Sequence, residues 1–170
     1  MLKKKVCLLG AYAVGKTSLV RRFVHSIFSE KYHSTIGVKI DKKTVEVDGQ
    51  QAHLLLWDIA GEEEYFSVPT SYIRGSDGYL LVVDGTRRNT LDQAIDLQQR
   101  AQSTIGDVPF VVVINKNDLV DEWELDEDVI VGLRQRTWSV LNSSAKLGTG
   151  VEDAFNKLTR EMLRRSTTGL

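Results

Sequence analysis

The sequence predicts an α/β chain: a mostly parallel six-stranded sheet with one antiparallel edge strand and helices on both faces. Three observations carry this reading. Near-continuous apolar runs of strand length recur along the chain, as strands buried on both faces require. Helix-length amphipathic segments separate most of them, which is the pattern of a parallel sheet covered by helices. One pair of runs is instead joined by Asp48-Gly49, a two-residue hairpin signal.

The elements follow in order. Val6–Leu9 is a first buried strand and Lys16–Val24 a helix. Val38–Val47 alternates in part, turns at Asp48-Gly49 and continues into Gln51–Trp57, so the strand over Lys39–Val47 is expected antiparallel at a sheet edge. Lys39, Asp41, Lys42 and Lys43 suit that place, because charge on an edge discourages further strand pairing. Tyr79–Val83 and Val111–Ile114 are the next buried strands, with Leu91–Thr104 a helix between them. Val129–Arg136 reads as a helix, Trp138–Leu141 as a short strand and Val151–Arg165 as a last helix. In that helix Val151, Phe155, Leu158 and Met162 fall at i, i+4, i+7 and i+11, which builds one apolar face. Residues 1–165 are expected to form one domain, with 166–170 a short tail. At 170 residues such a domain buries enough core to need no staples.

Composition excludes several classes. A net charge of −1 offers no field for nucleic acid or an anionic membrane. Cys7 is the lone cysteine, so no internal disulfide forms, and a buried free thiol fits a reducing compartment. No run of about 18 apolar residues exists to span a bilayer, and Met1–Lys5 leads into too short an apolar run for a signal peptide. Arg164–Leu170 holds no cysteine, so no lipid anchor is expected in this chain and a cytoplasmic location is.

Gly10-Ala11-Tyr12-Ala13-Val14-Gly15-Lys16-Thr17 is the most telling stretch, a GxxxxGKT between a strand and a helix. Backbone N–H groups of Ala13, Val14 and Gly15, with the helix start at Lys16, Thr17 and Ser18, converge where phosphate oxygens can sit. Lys16 would reach the β- and γ-phosphates and the Thr17 hydroxyl would ligate Mg²⁺. Asp58-Ile59-Ala60-Gly61 follows another buried strand; Asp58 can hold Mg²⁺, usually through water, and Gly61 lets its backbone approach the γ-phosphate. Asn115-Lys116-Asn117-Asp118 closes a third strand. The Asp118 carboxylate can accept from guanine N1–H and the N2 amine together, a pair that adenine lacks. Lys116 can lay its stem along the base, and Asn115 can tie this loop to the phosphate loop. Ser143-Ser144-Ala145-Lys146 would bring a backbone N–H near guanine O6.

These four ordered elements resemble those of the Ras superfamily of small GTPases, most nearly its Rab branch, from Lys3 to about Leu163. Thr35-Ile36-Gly37, Trp57-Asp58-Ile59-Ala60-Gly61-Glu62-Glu63 and Tyr72-Ile73-Arg74-Gly75-Ser76 carry the likeness further. The resemblance implies a P-loop NTPase fold that binds GTP/GDP with Mg²⁺ held by Thr17, Thr35 and Asp58. It implies Phe28, Asn115, Lys116, Asp118, Ser144, Ala145 and Lys146 around the base. Thr35 and Gly61 would sense the γ-phosphate, so effectors would read segments 30–38 and 61–73, with Tyr65, Phe66 and Tyr72 offering aromatic contact area or local packing. An exchange factor and an activating protein are implied partners.

Two departures bear on catalysis, for which Lys16, Gly61 and Glu62 are the candidates. Glu62 stands where most relatives carry a water-orienting glutamine. An ionised carboxylate accepts hydrogen bonds but cannot donate one to the transferring phosphoryl group. Tyr12 replaces a glycine over the γ-phosphate, where a ring would obstruct an activator's arginine. Slow intrinsic hydrolysis is therefore expected. The alternative is a GTP-locked pseudo-GTPase that acts as a constitutive binding module.

Overall fold

The computed structural model describes residues 2–30, 35–62 and 67–168, with side chains through Ser166. Strand β1 (Leu2–Gly10) leads through a glycine-containing loop into α1 (Lys16–His25). Then come β2 (Val38–Val47), β3 (Gln50–Ile59), the single turn α2 (Thr70–Ile73) and β4 (Gly78–Asp84). Next are α3 (Asn89–Ile105), β5 (Phe110–Asn115), a 3₁₀ turn (Asn117–Glu122), α4 (Glu127–Gln135), β6 (Ser139–Asn142) and α5 (Val151–Thr168). The sheet order is β2-β3-β1-β4-β5-β6. Only the β2–β3 pair is antiparallel, and β2 lies at the edge as its charges suggest. Asp48 (φ 52°) and Gly49 (φ 78°) are both left-handed, the geometry a two-residue hairpin turn needs. The sequence missed α2 and the 3₁₀ turn, which are too short to show a period.

Packing follows the strand alternation. Leu8, Leu56, Leu80 and Val113 face α1 and α5, where Phe23 stacks on Phe155 with centroids 4.1 Å apart. Val151, Phe155, Leu158 and Met162 are all buried there, as their spacing predicts. Cys7, Leu81, Val83 and Ile114 face α3 and α4 on the other side. Every residue of β4 is buried, because it is a central strand covered on both faces. Cys7 is a buried free thiol whose pKa desolvation pushes up. Among the described residues no helix is long and apolar enough to cross a membrane.

The parallel register carries the function. It sets Gly10 beside Val82 and Asp84 beside Asn115, so the carboxyl ends of the inner strands open at one edge. The chain leaves β1 between β3 and β4, which makes a crevice at the point where the strand order reverses.

Candidate nucleotide-binding site

A cavity of about 610 Å³ opens at this edge. At one end the phosphate loop curls through two left-handed residues, Ala13 (φ 63°) and Gly15 (φ 106°), before α1 begins. Successive turns of this hand aim backbone N–H groups at a common centre. Gly15 is required there twice over, since a Cβ would also stand 2.2 Å from the Asn115 amide nitrogen. Lys16 arches back over the loop, donating to the carbonyls of Gly10 (3.1 Å) and Ala11 (2.9 Å). Burial lowers its ammonium to about 8, against the pull of Asp58 in the other direction. Thr17 and Ser18 line the same end.

The three residues expected at the metal converge. The Thr17 hydroxyl donates to Asp58 Oδ2 at 2.7 Å and lies 2.7 Å from the Thr35 hydroxyl. Asp58 is 1% exposed, and desolvation raises its pKa. Its other oxygen, Oδ1, is buried and has no hydrogen-bond partner among the described residues. A buried, unsatisfied carboxylate oxygen is costly. Beside two hydroxyls, it fits a hydrated Mg²⁺, a hard cation that takes oxygen ligands and keeps its waters.

At the base end, Asn115 links three segments. Its Nδ2 donates to the Val14 carbonyl (3.0 Å), and its Oδ1 accepts from Ser143 Oγ and the Ala145 N–H, both at 3.2 Å. That last contact engages one backbone amide of segment 143–146, from which an N–H is expected near guanine O6. Asp118 lines the cavity and accepts from Ser144 Oγ at 2.8 Å, so Ser144 aims the carboxylate through its side chain. Phe28, Lys116, Ala145 and Lys146 complete this wall. Lys146 pairs with Glu30 at 3.0 Å across the mouth, and that hydrogen-bonded partner raises its pKa. Both side chains are exposed enough that the pair adds little stability.

Several neighbours carry no sequence signal. Arg22, on α1, donates to the carbonyls of Ala145 (2.8 Å) and Lys146, bracing the base loop from behind. Trp123 Nε1 donates to the Lys116 carbonyl at 2.9 Å and holds that residue in its left-handed conformation (φ 71°). A cation on a helix and a tryptophan in a turn are ordinary surface features until the fold sets them against these carbonyls.

The segment after β3 shows where the candidate catalytic residues stand. Gly61 crosses the phosphate loop so closely that a Cβ would lie 2.5 Å from Tyr12 Cα and 2.6 Å from its nitrogen. The crowding comes from loop backbone, not only from the space a γ-phosphate would fill. The crossing is pinned by Glu62 N–H to Gly10 O (3.2 Å) and Tyr12 N–H to Glu62 O (3.1 Å). Ala60 N–H donates to Gly37 O at 2.8 Å, which ties the chain just after β3 to the segment just before β2. The Glu62 carboxylate turns towards α3, where it pairs with Arg100 and accepts from the Val68 N–H at 2.8 Å. Tyr12 is 39% exposed and lines the cavity mouth, whereas Glu62 does not line the cavity. Tyr72 is half-buried against the α3 face and meets Trp57 at a tilt, 6.4 Å between centroids. Tyr65 and Phe66 lie outside the described residues, as do residues 31–34 of the first segment.

Comparison with known proteins agrees with this geometry. The model of the Ras family matches residues 5–164. Ras-related protein Rab-18-B of Danio rerio is 34% identical over 169 residues, covering 98% of this chain and 81% of its own. Ras-related protein Rab-13 of Canis lupus familiaris is 32% identical over 164 residues, covering 95% and 81%. Phosphate loop, paired hydroxyls beside a buried aspartate, and the Asp118 carboxylate at the far wall thus stand on one six-stranded sheet, in a chain that belongs to the Ras family as a Rab-like small GTPase.

Proposed function

We propose that this GTP-binding switch holds GTP or GDP together with Mg²⁺ and hydrolyses GTP slowly to GDP and phosphate. The observation that carries the reading is the convergence of Thr17, Thr35 and the half-satisfied Asp58 carboxylate beside Lys16. Lys16 and the N–H groups of Ala13, Val14 and Gly15 take the phosphate oxygens. Thr17, Thr35 and Asp58 hold Mg²⁺, which when bound neutralises charge on the β- and γ-phosphates. Asp118 selects guanine, with Lys116, Phe28, Ala145 and Lys146 packed about the base. Thr35 and Gly61 recognise the γ-phosphate from two sides, so its loss relaxes segments 30–38 and 61–73. Effectors, an exchange factor and an activating protein act through those segments.

Two features support slow turnover. The Glu62 carboxylate is engaged by Arg100, and ionised it has no proton to donate to the transferring group. Tyr12 stands at the mouth where an activator's arginine would enter. Single-turnover hydrolysis of GTP with Mg²⁺, comparing the chain with Glu62→Gln, tests the reading: phosphate release from both is expected, faster from the variant. No release from either protein would favour the GTP-locked module instead.

A further inference from the structure

Asp84 ends β4 fully buried and joins the two ends of the cavity. Its Oδ2 accepts from Lys116 Nζ at 2.7 Å and from Arg87 Nε at 2.9 Å. Its Oδ1 accepts from the Thr86 N–H (2.9 Å) and the Thr86 hydroxyl (2.7 Å), so the carboxylate is fully satisfied. Thr90 braces the same turn, accepting from the Asp84 N–H and donating to the Arg87 carbonyl. Both cations reach onward to the phosphate loop. Lys116 Nζ donates to the Ala13 carbonyl at 3.3 Å, and Arg87 Nη2 to the Tyr12 carbonyl at 2.8 Å. Two successive loop carbonyls therefore hang from one buried carboxylate.

The Tyr12 peptide is held from two directions. Its N–H donates to Glu62, on the segment that the proposed switch releases with the γ-phosphate, and its carbonyl accepts from Arg87 at the entry to α3, outside both proposed switch segments. Arg87 does not line the cavity, whereas Lys116 does. Arg87 therefore acts on nucleotide through the loop carbonyl and through Asp84, not by lining the cavity.

We propose that Asp84 and Arg87 are positioning residues for nucleotide retention. They keep the phosphate loop in register with the guanine-binding Lys116 after the Glu62 contact opens, so that losing the γ-phosphate does not loosen GDP. This rests on the reading that guanine nucleotide occupies the cavity. With GTP bound, the Glu62 contact holds Tyr12 together with Arg87; with GDP bound, the Arg87 tether persists after the Glu62 contact opens.

The test is release of fluorescently labelled GDP, and of a labelled non-hydrolysable GTP analogue, from the full chain into excess unlabelled nucleotide with Mg²⁺. The Arg87 side chain is 37% exposed, so Arg87→Ala is expected to fold. Losing the charge-assisted hydrogen bond to the Tyr12 carbonyl, along with the one to Asp84, should speed GDP release about tenfold. The analogue should leave only about threefold faster, the smaller effect expected where a second tether remains. Arg87→Lys keeps the charge without the fork that spans Asp84 and Tyr12, and should fall between. Asp84→Asn should release GDP at least as fast as Arg87→Ala, and adding Arg87→Ala to it should change little. GDP release from Arg87→Ala at the wild-type rate would overturn the proposal. So would equal acceleration of both nucleotides with no recovery by lysine. A wild-type chain that retains no GDP would instead overturn the underlying nucleotide reading.

Discussion

Gly61→Ala is the sharpest probe of how the γ-phosphate is sensed. The added methyl would lie 2.5 Å from Tyr12 Cα, 2.6 Å from Tyr12 N and 2.7 Å from the Ala11 carbonyl carbon. All three are backbone atoms, and each is well short of the 3.4 Å at which ordinary contact begins. One side must move by about 1 Å, a displacement close packing does not absorb. The phosphate loop is the stiffer partner, held by Lys16 on Gly10 and Ala11 and by Arg87 on Tyr12. The Gly61 crossing therefore gives way and breaks the two backbone hydrogen bonds between Glu62 and the loop. At about 1 kcal/mol each, their loss disfavours the closed segment by about 2 kcal/mol, roughly thirtyfold. GDP does not need the closed segment. Competition binding should show affinity for a non-hydrolysable GTP analogue falling by about thirtyfold, with GDP affinity changed by less than about threefold. Equal loss for both nucleotides would place the damage in the loop and refute the argument; unchanged analogue affinity would refute the closeness of the crossing.

Other outcomes follow from the same geometry. Asp118→Asn removes the paired acceptor for guanine, so GDP affinity should fall by about a hundredfold or more while xanthosine diphosphate gains, measured by competition. In nucleotide-free protein Lys16 loses its proton from about pH 8 upward. A bound diphosphate restores that charge, so calorimetry in buffers of different ionisation enthalpy should show close to one proton taken up near about pH 9 and little at about pH 7. GDP affinity should accordingly weaken as pH rises above about 8, and Lys16→Arg should abolish the proton uptake. Phe155→Ala removes a ring that is 1% exposed and stacked on Phe23, and should cost about 3–5 kcal/mol in denaturant unfolding. A loss below about 1 kcal/mol would mean that the face between α1 and α5 repacks readily.

The alternation of buried runs and amphipathic helices was enough to give the fold class, because each period reports which face of an element is apolar. The edge position of β2 was legible in its charges and in the Asp48-Gly49 turn. The convergence of Lys16, Thr17 and Asp118 on one cavity was legible too, since glycines, a lysine and carboxylates at strand ends have few other uses at that spacing. Only the tertiary structure decided what those residues do to one another. Parallel register brings Asp84 against Lys116, and the placement of α1 sets Arg22 against Ala145; sequence proximity does neither. The direction of the Glu62 side chain depends on Arg100, which sits on a different helix and has no local mark. Gly61 was read from the sequence as room for a phosphate; the packed chain adds that it must also leave room for the backbone of Tyr12. The sequence alone determined which chemical groups are offered to the proposed nucleotide, because those are local and type-specific. What braces, aims and couples them is set by contacts between distant segments, which exist only once the sheet has assembled.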